Sequence, residues 1–330
     1  MKLNFKLLIT LCLVLLFSSC SGSEITEYVN DELLNTEYME HESIVFSNIH
    51  GMITRVSYNN NVMYIIGASH IGRPEWHPMN ETVMNAKQRA DVFLFESDLW
   101  FTEDRQVRLD LNRMQRLPGG VTLQTFLPED VFERFYQNLA TWGVPYSNVV
   151  TMSPLNISSG MWSLLDAYFG YYGFYGIDFQ VMNFAQENNR ILKGLHDGAS
   201  ELNLTFNISE ELQIQLIDSI PDWETAVEIW NHDFLYAYGE QNIIILAEGA
   251  SAFEDIENLH PHDYFVASTS MIRTNIFATE IMKHLRETNE PTIFFTTVGI
   301  NHLLRDGFNV LSVLEENGFI VEPYWHNALS

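Results

Sequence analysis

Two apolar runs far apart in the chain end in the same pattern, a glycine followed three residues later by a histidine. Residues 64–66 lead into His70, and residues 294–298 lead into His302. Short apolar runs rich in aromatic and β-branched residues predict buried strands, and the glycine lets the backbone turn sharply where each strand ends. Open α/β sheets bind ligands at the carboxyl ends of their strands. If both strands belong to one sheet, the two imidazoles can face each other at that edge.

The strand patterns concentrate toward the two ends of the chain, and most helical patterns lie between them. Strands are predicted at residues 44–57, 62–66, 91–97, 190–194, 291–298 and 319–322. Helices are predicted at residues 80–90, 128–139, 159–169, 179–188, 210–220, 223–238, 262–285 and 311–316. Strand-helix-strand order favours parallel pairing with a right-handed crossover. We therefore predict an α/β fold with a mixed, largely parallel sheet formed by N- and C-terminal strands, and a helical middle section packed on it.

The first twenty residues predict an export signal that is not part of the fold. Lys2 and Lys6 make a short basic start, and the apolar residues 7–17 are too few to span a bilayer comfortably. Residues 17–20 resemble a bacterial lipobox, with phenylalanine where leucine is usual. The pattern predicts cleavage before Cys20 and lipidation of Cys20. An ordinary signal peptide cut nearby is the alternative.

These patterns divide the chain into three parts. Residues 1–20 are predicted to be a signal peptide of the lipoprotein type, and residues 21–43 an acidic tether. Residues 44–330 are predicted to form a single domain. We expect an exported protein attached to a bacterial cell membrane or outer membrane through its lipid, or a secreted one if Cys20 is not lipidated.

Charge and cysteine content narrow the possible partners and ligands. A formal charge of -26 argues against nucleic acid as a partner, because no basic face is available to neutralise phosphates. The only cysteines are Cys12, inside the signal, and Cys20. The mature domain therefore has no disulfide and no thiolate ligand. A metal site would be built from His, Asp and Glu, which suit ions such as Mn²⁺, Co²⁺ or Zn²⁺.

A carboxylate interrupts another predicted buried strand. Glu96 follows the apolar residues 92–95 near the strand's carboxyl end, and a carboxylate there is costly unless it is paired or bound to a cation. With His70 and His302 it would complete a metal site of three protein ligands with positions left for water. Three alternatives stay open: Glu96 acts as a general base with Asp98 supporting the ligands, it pairs with a distant arginine, or the histidines are structural.

Polar residues near the second histidine are candidates for binding substrate. Arg273 and Asn275 lie on a predicted long helix and could hold a substrate carboxylate or an oxyanion. Arg273 is also the arginine that could pair with Glu96. Asn301, beside His302, could donate to the same group. The sequence has no Gly-x-Ser-x-Gly elbow, no cysteine nucleophile in the mature domain and no glycine-rich phosphate loop.

The chain resembles the TraB/GumN family, which includes the Tiki membrane-anchored proteases, in five blocks that occur in the same order. The blocks are residues 64–72 around the first histidine, 90–98 around the glutamate, 176–195, 273–275, and 298–323 around the second histidine. Together the blocks extend the resemblance over about residues 44–326.

The resemblance implies an α/β fold related to the erythromycin-esterase-like and ChaN-like proteins. It also implies a divalent metal cofactor (Mn, Co or Zn). By resemblance, His70 and His302 are catalytic or metal-binding histidines, and Glu96 is the matching glutamate. Tiki members are metal-dependent peptidases that trim the amino terminus of a secreted signal protein. A peptide or protein substrate outside the cytoplasm is therefore implied.

Three positions depart from the family pattern. His196 stands where the middle block of the family has a glutamate, so His196 or Asp197 must substitute for that glutamate or activity is reduced. Ser69 replaces the usual isoleucine before the first histidine. Arg273 and Asn275 are separated by one residue, whereas the family has an adjacent Arg-Asn pair, so only one of the two is in register with that pair. We count His196 with Asn301 and Asn275 as candidate substrate-binding residues.

The sequence thus favours an exported, lipid-anchored, metal-dependent hydrolase that acts on peptide bonds. In this hypothesis His70, Glu96 and His302 hold the ion and activate water, while Arg273 orients the substrate or Glu96. One rival is a regulatory lipoprotein that binds a peptide or a haem-like ligand without turnover. Another is a metal-free, esterase-like hydrolase with a histidine base.

Overall fold

The computed structural model describes residues 52–230, 238, 261–305 and 308–323. Six strands form one sheet: β1 (Met52–Tyr58), β2 (Asn61–Ala68), β3 (Val92–Ser97), β4 (Ile191–His196), β5 (Ile293–Gly299) and β6 (Ile320–Pro323). They lie in the order β4-β3-β5-β2-β1-β6. The pairs β2–β5, β5–β3 and β3–β4 are parallel, while β1 is antiparallel to both β2 and β6. The predicted mixed, largely parallel sheet is confirmed.

Helices cover the sheet and form most of the middle of the chain. In the described residues they are α1 (Glu81–Arg89), α2 (Arg105–Met114), α3 (Leu123–Phe126), α4 (Glu129–Thr141), α5 (Tyr146–Val149), α6 (Pro154–Tyr168), α7 (Ile177–Glu187), α8 (Gly198–Phe206), α9 (Glu210–Asp218), α10 (Trp223–Ile229), α11 (Pro261–Glu287), α12 (Asn301–Leu304) and α13 (Val310–Glu316). None of the helices in this part of the chain is both long and apolar enough to cross a membrane.

Most predicted elements are present, with shifted ends. Helix α6 begins five residues before the predicted start, at a proline that suits the first helical position because its missing N–H would be unpaired there anyway. Helices α2 and α8 were not predicted, nor were the one-turn helices α3, α5 and α12. Helix α2 has no fully buried residue, and its apolar side is short, with Val107, Leu111 and Met114 only half-buried. The predicted elements at residues 44–51 and 231–237 lie outside the described residues.

The sheet is packed on both faces, which explains why its central strands are apolar almost throughout. Phe93 and Leu94 are neighbours in β3, and their side chains point to opposite faces. Phe93 belongs to a core cluster with Val181 of α7, whereas Leu94 belongs to a second cluster with Phe277 of α11. Both clusters hold the strands in place, so the residues that follow the strands have fixed positions.

The helical middle section has a core of its own. Trp142, Leu165 and Ile217 belong to a third cluster formed by the helices between β3 and β4 and those that follow α8. Phe169 and Trp230 pack against both this cluster and the core of the α7 face, with their rings stacked 3.9 Å apart between centroids. The middle section is therefore packed onto the sheet layer.

Four parallel strands end at one edge of the sheet, which we call the carboxyl edge. Ala68 of β2 pairs with Gly299 of β5, and Ser97 of β3 pairs with His196 of β4. Because β1 runs the opposite way, its first residue, Met52, also lies at this edge, paired with Gly67. The carboxyl edge is the place where open sheets of this kind bind ligands.

At the opposite edge, one buried asparagine joins the hairpin to two other elements. The amide nitrogen of Asn61 donates to the carbonyl oxygens of Leu285 (2.9 Å) and Thr288 (2.7 Å), and its oxygen accepts from the N–H of Thr292 (3.0 Å). The Asn61→Ala variant leaves these buried groups without partners. We expect the free energy of unfolding in urea to fall by about 2–4 kcal/mol, and that of Asn60→Ala, an exposed neighbour, to change by less than about 0.5 kcal/mol. If the two variants lose the same free energy of unfolding, the hydrogen bonds of Asn61 do not contribute to stability.

Candidate functional site

The structure brings His70, Glu96 and His302 together at the carboxyl edge. His70 follows β2 by two residues, Glu96 lies in β3, and His302 is in α12, directly after β5. The Nε2 atom of His70 is 3.9 Å from Oε2 of Glu96, and the Nε2 atom of His302 is 3.9 Å from Oε1 of the same carboxylate. The two imidazoles therefore flank one carboxylate, each with its Nε2 turned inward.

A threonine fixes the orientation of His302. The Nδ1 atom of His302 is 2.8 Å from the hydroxyl of Thr274 on α11, and that hydroxyl donates its single proton to the carbonyl oxygen of Ser270. The hydroxyl oxygen must therefore accept a proton from Nδ1, which leaves a lone pair on Nε2 of the neutral ring. His302 is buried, and this burial lowers its pKa from the ordinary value. A neutral imidazole is what a ligand or a base requires.

An aspartate fixes the orientation of His70 in the same way, but it raises the pKa of this ring. The Nδ1 atom of His70 donates to the carboxylate of Asp178, at the start of α7, across 2.7 Å. The negative charge of Asp178 is the main cause that raises the pKa of His70 from 6.5 to about 10. Gly176 makes the contact possible, because a Cβ at this position would lie 2.2 Å from the carbonyl oxygen of His70. Most of the His70 side chain (64%) remains exposed to solvent.

Glu96 is held from the β5 side. Its Oε1 atom accepts a hydrogen bond from the backbone N–H of Gly299 across 2.6 Å. A Cβ on Gly299 would lie 3.1 Å from Oε1 of Glu96 and 3.6 Å from Nε2 of His70. The glycine thus keeps a small space open between the carboxylate and the imidazoles.

The residues that line this space have the chemistry of metal ligands. In the part of the chain that the structure describes, no three His, Cys, Asp or Glu side chains are already spaced for an ion. Ligands of a tetrahedral Zn²⁺ lie about 3.3–3.6 Å apart, and each Nε2 is 3.9 Å from its carboxylate oxygen. A closure of about 0.5 Å on each side would bring these donors to ligand spacing. Two Nε2 atoms and a carboxylate fit a divalent ion chemically.

Arg273 bonds to a different glutamate from the one that the sequence suggested. Its guanidinium donates to the carboxylate of Glu201 on α8 (2.5 Å) and to the hydroxyls of Thr205 (2.9 Å) and Thr269 (3.0 Å). Among the described residues it makes no hydrogen bond to Glu96. The alternative in which Arg273 neutralises Glu96 is therefore wrong. The positive charge of Arg273 is close enough to lower the pKa of both site histidines.

His196, which stands where the family resemblance places a glutamate, joins the same network. It ends β4 at the carboxyl edge, and its Nδ1 atom is 3.0 Å from Oε2 of Glu201. Burial alone would raise the pKa of Glu201, but hydrogen bonds from His196 and Arg273 lower it to about 2. Glu201 thus supplies a half-buried, ionised carboxylate beside the end of β4. Asp98, which the sequence offered as a supporting ligand, instead accepts from the N–H of Gly198 across 2.6 Å at the start of α8.

The two candidate asparagines differ in their surroundings. Asn275 is exposed on α11, and the contact with His302 is made by its neighbour Thr274. Asn301 is half-buried beside His302, and its amide oxygen is buried with no hydrogen-bond partner among the described residues. Asn301 therefore keeps an unsatisfied acceptor next to the site.

Sequence reasoning missed three residues that set the geometry: Asp178, Thr274 and Glu201. Asp178 lies inside one of the blocks of family resemblance, two residues after Gly176, so a signal was available. Thr274 lies between two residues that were considered. For Glu201 no signal exists, because its contacts with His196 and Arg273 depend on how α8 packs against α11.

Comparison with known proteins gives one result. A model of the TraB/PrgY/gumN family matches residues 52–323, which is more than half of the 330 residues. Comparison with curated proteins and with solved structures gives no match. The matched range includes all six strands and every residue of the site.

The contact between Asp178 and His70 predicts a pH-dependent contribution to stability. The raised pKa means that the contribution is complete below pH 6.5 and is lost as the pH rises from there through about 10. Because His70 is largely exposed, we expect Asp178→Asn to lower the free energy of unfolding by only about 1 kcal/mol at pH 6, with the difference fading by pH 10. NMR titration should show the pKa of His70 returning toward its ordinary value.

Glu316→Gln, which removes an exposed carboxylate from α13, is the matched control and should leave the pKa of His70 unchanged. If Asp178→Asn leaves that pKa raised, the aspartate is not its cause.

Proposed function

The chain belongs to the TraB/PrgY/gumN family, and on this premise we propose that it is a hydrolase that cleaves peptide bonds at the carboxyl edge of its sheet. One observation carries the proposal: the Nε2 atoms of His70 and His302 converge on the two oxygens of Glu96, each at 3.9 Å. Both Nδ1 atoms are engaged by other side chains. The three residues therefore offer a ligand two Nε2 atoms and one carboxylate.

We propose a divalent ion (Mn, Co or Zn) as the cofactor, held by His70, His302 and Glu96. When bound, such an ion lowers the pKa of a water molecule and polarises a carbonyl group. The space that Gly299 leaves open and the inward lone pair of His302 support this assignment. An imidazole ligand must be neutral, so binding of the ion competes with protonation of His70, which Asp178 favours.

The residues of the chain divide the work of hydrolysis between them. Glu96 takes the proton from the attacking water, whose oxygen bonds to the carbonyl carbon; the C–N bond then breaks, and the proton passes to the leaving amine. The N–H of Gly299 fixes one oxygen of Glu96, so the other oxygen faces His70. Asn301 has a free acceptor for a substrate N–H. Arg273 acts at a distance, by holding Glu201 and by its charge on the histidines.

A hydrolase without a metal, of the esterase-like kind, is the second candidate. The opposite pKa shifts of the two histidines favour it, because paired groups with divergent pKa values suit the roles of acid and base. His70, protonated at neutral pH, would donate to the leaving group, and His302, neutral, would accept the proton from water. Glu96 would then stabilise the positive charge that His302 gains.

We further propose that the protein works outside the cytoplasm on a peptide or protein substrate. The N-terminal pattern supports export and anchoring through lipid on Cys20. The formal charge of -26 makes nucleic acid an unsuitable partner.

Digestion of a peptide library tests this function. Purified full-length protein is compared with Glu96→Gln, and with Glu316→Gln as the matched control, each with and without a chelator. We expect wild type and Glu316→Gln to cleave and Glu96→Gln to be slower by about 10²–10⁴-fold, because a positioned acid-base group contributes that much. Under the metal proposal the chelator abolishes cleavage, and Mn²⁺, Co²⁺ or Zn²⁺ restores it.

Other outcomes separate the candidates. Cleavage that survives the chelator but is lost in Glu96→Gln and His302→Ala supports the metal-free hydrolase. Peptides or haem that bind in every arm without cleavage contradict hydrolysis and favour the regulatory binding protein. Equal cleavage by wild type and Glu96→Gln places the active site elsewhere.

A further inference from the structure

Helix α2 presents a row of arginines to solvent, which we call the arginine face: Arg105, Arg108 and Arg113 on the helix and Arg116 just beyond its end. All four are exposed. At 100° per residue the three helical arginines fall within about 140° of one another. The polar side chain of Asn112 lies between them on the same side. The face therefore concentrates positive charge on a chain whose formal charge is -26.

Most of this charge has no acidic partner. Within the described residues, Arg105, Arg108 and Arg116 form no ion pair, and Arg113 pairs with Asp110 across 3.1 Å. Some exposed cations elsewhere in the fold have acidic partners, as in the pairs Arg134–Asp218 and Lys283–Glu280. Although the chain has 43 acidic residues, none of those that the structure describes pairs with these three arginines.

Helix α2 packs beside the carboxyl edge through the side opposite the arginine face. A Cβ on Gly198, the first residue of α8, would lie 3.0 Å from a methyl group of Val107. Gly198 also donates its N–H to Asp98, which directly follows β3. Helix α2 is therefore held where β3 and β4 end.

The chain enters the sheet at the same edge. Met52 begins β1 and pairs with Gly67, near the end of β2. The segment 21–43, which precedes the described residues, has seven acidic residues and no lysine or arginine. The net charge of this segment is therefore negative, opposite to that of the arginine face.

The connection is long enough for the two to meet. Strands β1 and β4 are four positions apart in the sheet, so the distance along the edge is about 19 Å, and the diameter of α2 adds about 10 Å. The nine residue steps from Ser43 to Met52 span up to about 30 Å when extended. Attachment to the same chain also gives the segment a high local concentration at the face.

We propose that the acidic segment 21–43 docks on the arginine face of α2, through ion pairs between its carboxylates and Arg105, Arg108 and Arg116. The match of opposite charges, the reach of the connection and the shared edge carry the proposal. Docking takes the segment past the carboxyl edge, on the side where β3 and β4 end. This assignment does not depend on the proposed hydrolysis.

Distance measurement between two spin labels tests the docking. The full chain carries serine in place of Cys12 and Cys20, and labels at Asn35→Cys in the segment and Asn112→Cys on the face. Because each label is only a few residues from charges that would pair, docking keeps the labels within about 25 Å. We expect this short-distance population in low salt and its loss in 1 M NaCl, which screens exposed charges.

Two charge variants of the labelled chain complete the test. Arg105→Gln/Arg108→Gln/Arg116→Gln should lose most of the short-distance population. Arg89→Gln/Lys193→Gln/Lys283→Gln removes equal charge from other exposed sites and should keep it. Circular dichroism spectra that match the parent show that each variant is folded.

If the distances between the labels in both variants and in 1 M NaCl equal those of the parent labelled chain in low salt, the proposal is overturned. The other occupant of such a face would be an anionic membrane. Loss of binding to phosphatidylglycerol vesicles in the first variant, without a change in label distances, would assign the arginine face to lipid and also overturn the proposal.

Discussion

The site depends on two hydrogen bonds that decide which nitrogen of each histidine faces inward. Asp178 accepts from Nδ1 of His70, and Thr274 accepts from Nδ1 of His302. With both Nδ1 atoms engaged, each ring presents Nε2 to the carboxylate of Glu96. If either bond were lost, that ring could rotate or change tautomer, and the three groups would no longer act as one unit. Partners of this kind fix the orientation of histidine ligands and bases in proteins generally.

The two partners also make the histidines unlike each other. Asp178 brings a negative charge to an exposed ring and raises the pKa of His70, whereas Thr274 is neutral and burial lowers the pKa of His302. One ring therefore favours the protonated form and the other the neutral form. Such a pair can act as acid and base by itself, or can bind an ion in competition with one proton. The same geometry thus supports both hydrolytic candidates, and a chelator distinguishes them.

The sequence predicted the parts of the site that follow from strand ends, because apolar runs and glycines are local signals. His70, Glu96 and His302 were placed at one edge of a mostly parallel sheet before their contacts were known. Contacts between helices were not predictable in this way. Arg273 was expected on Glu96 or substrate, but it is bound to Glu201, since its partner depends on how α8 and α11 pack. Helix α2 was missed because its apolar side is short, with Val107, Leu111 and Met114 only half-buried.

Nitrogen-15 NMR of the imidazole rings tests the central claim most directly, because it reports which ring nitrogen carries the proton. In the folded protein at neutral pH, we predict a neutral His302 with its proton on Nδ1, and a His70 that keeps its Nδ1 proton throughout its titration. Replacing Thr274 with valine should abolish the preference of His302 for a proton on Nδ1. Serine at this position should restore that preference. A neutral His302 with its proton on Nε2 would contradict the account, because no lone pair would then face Glu96.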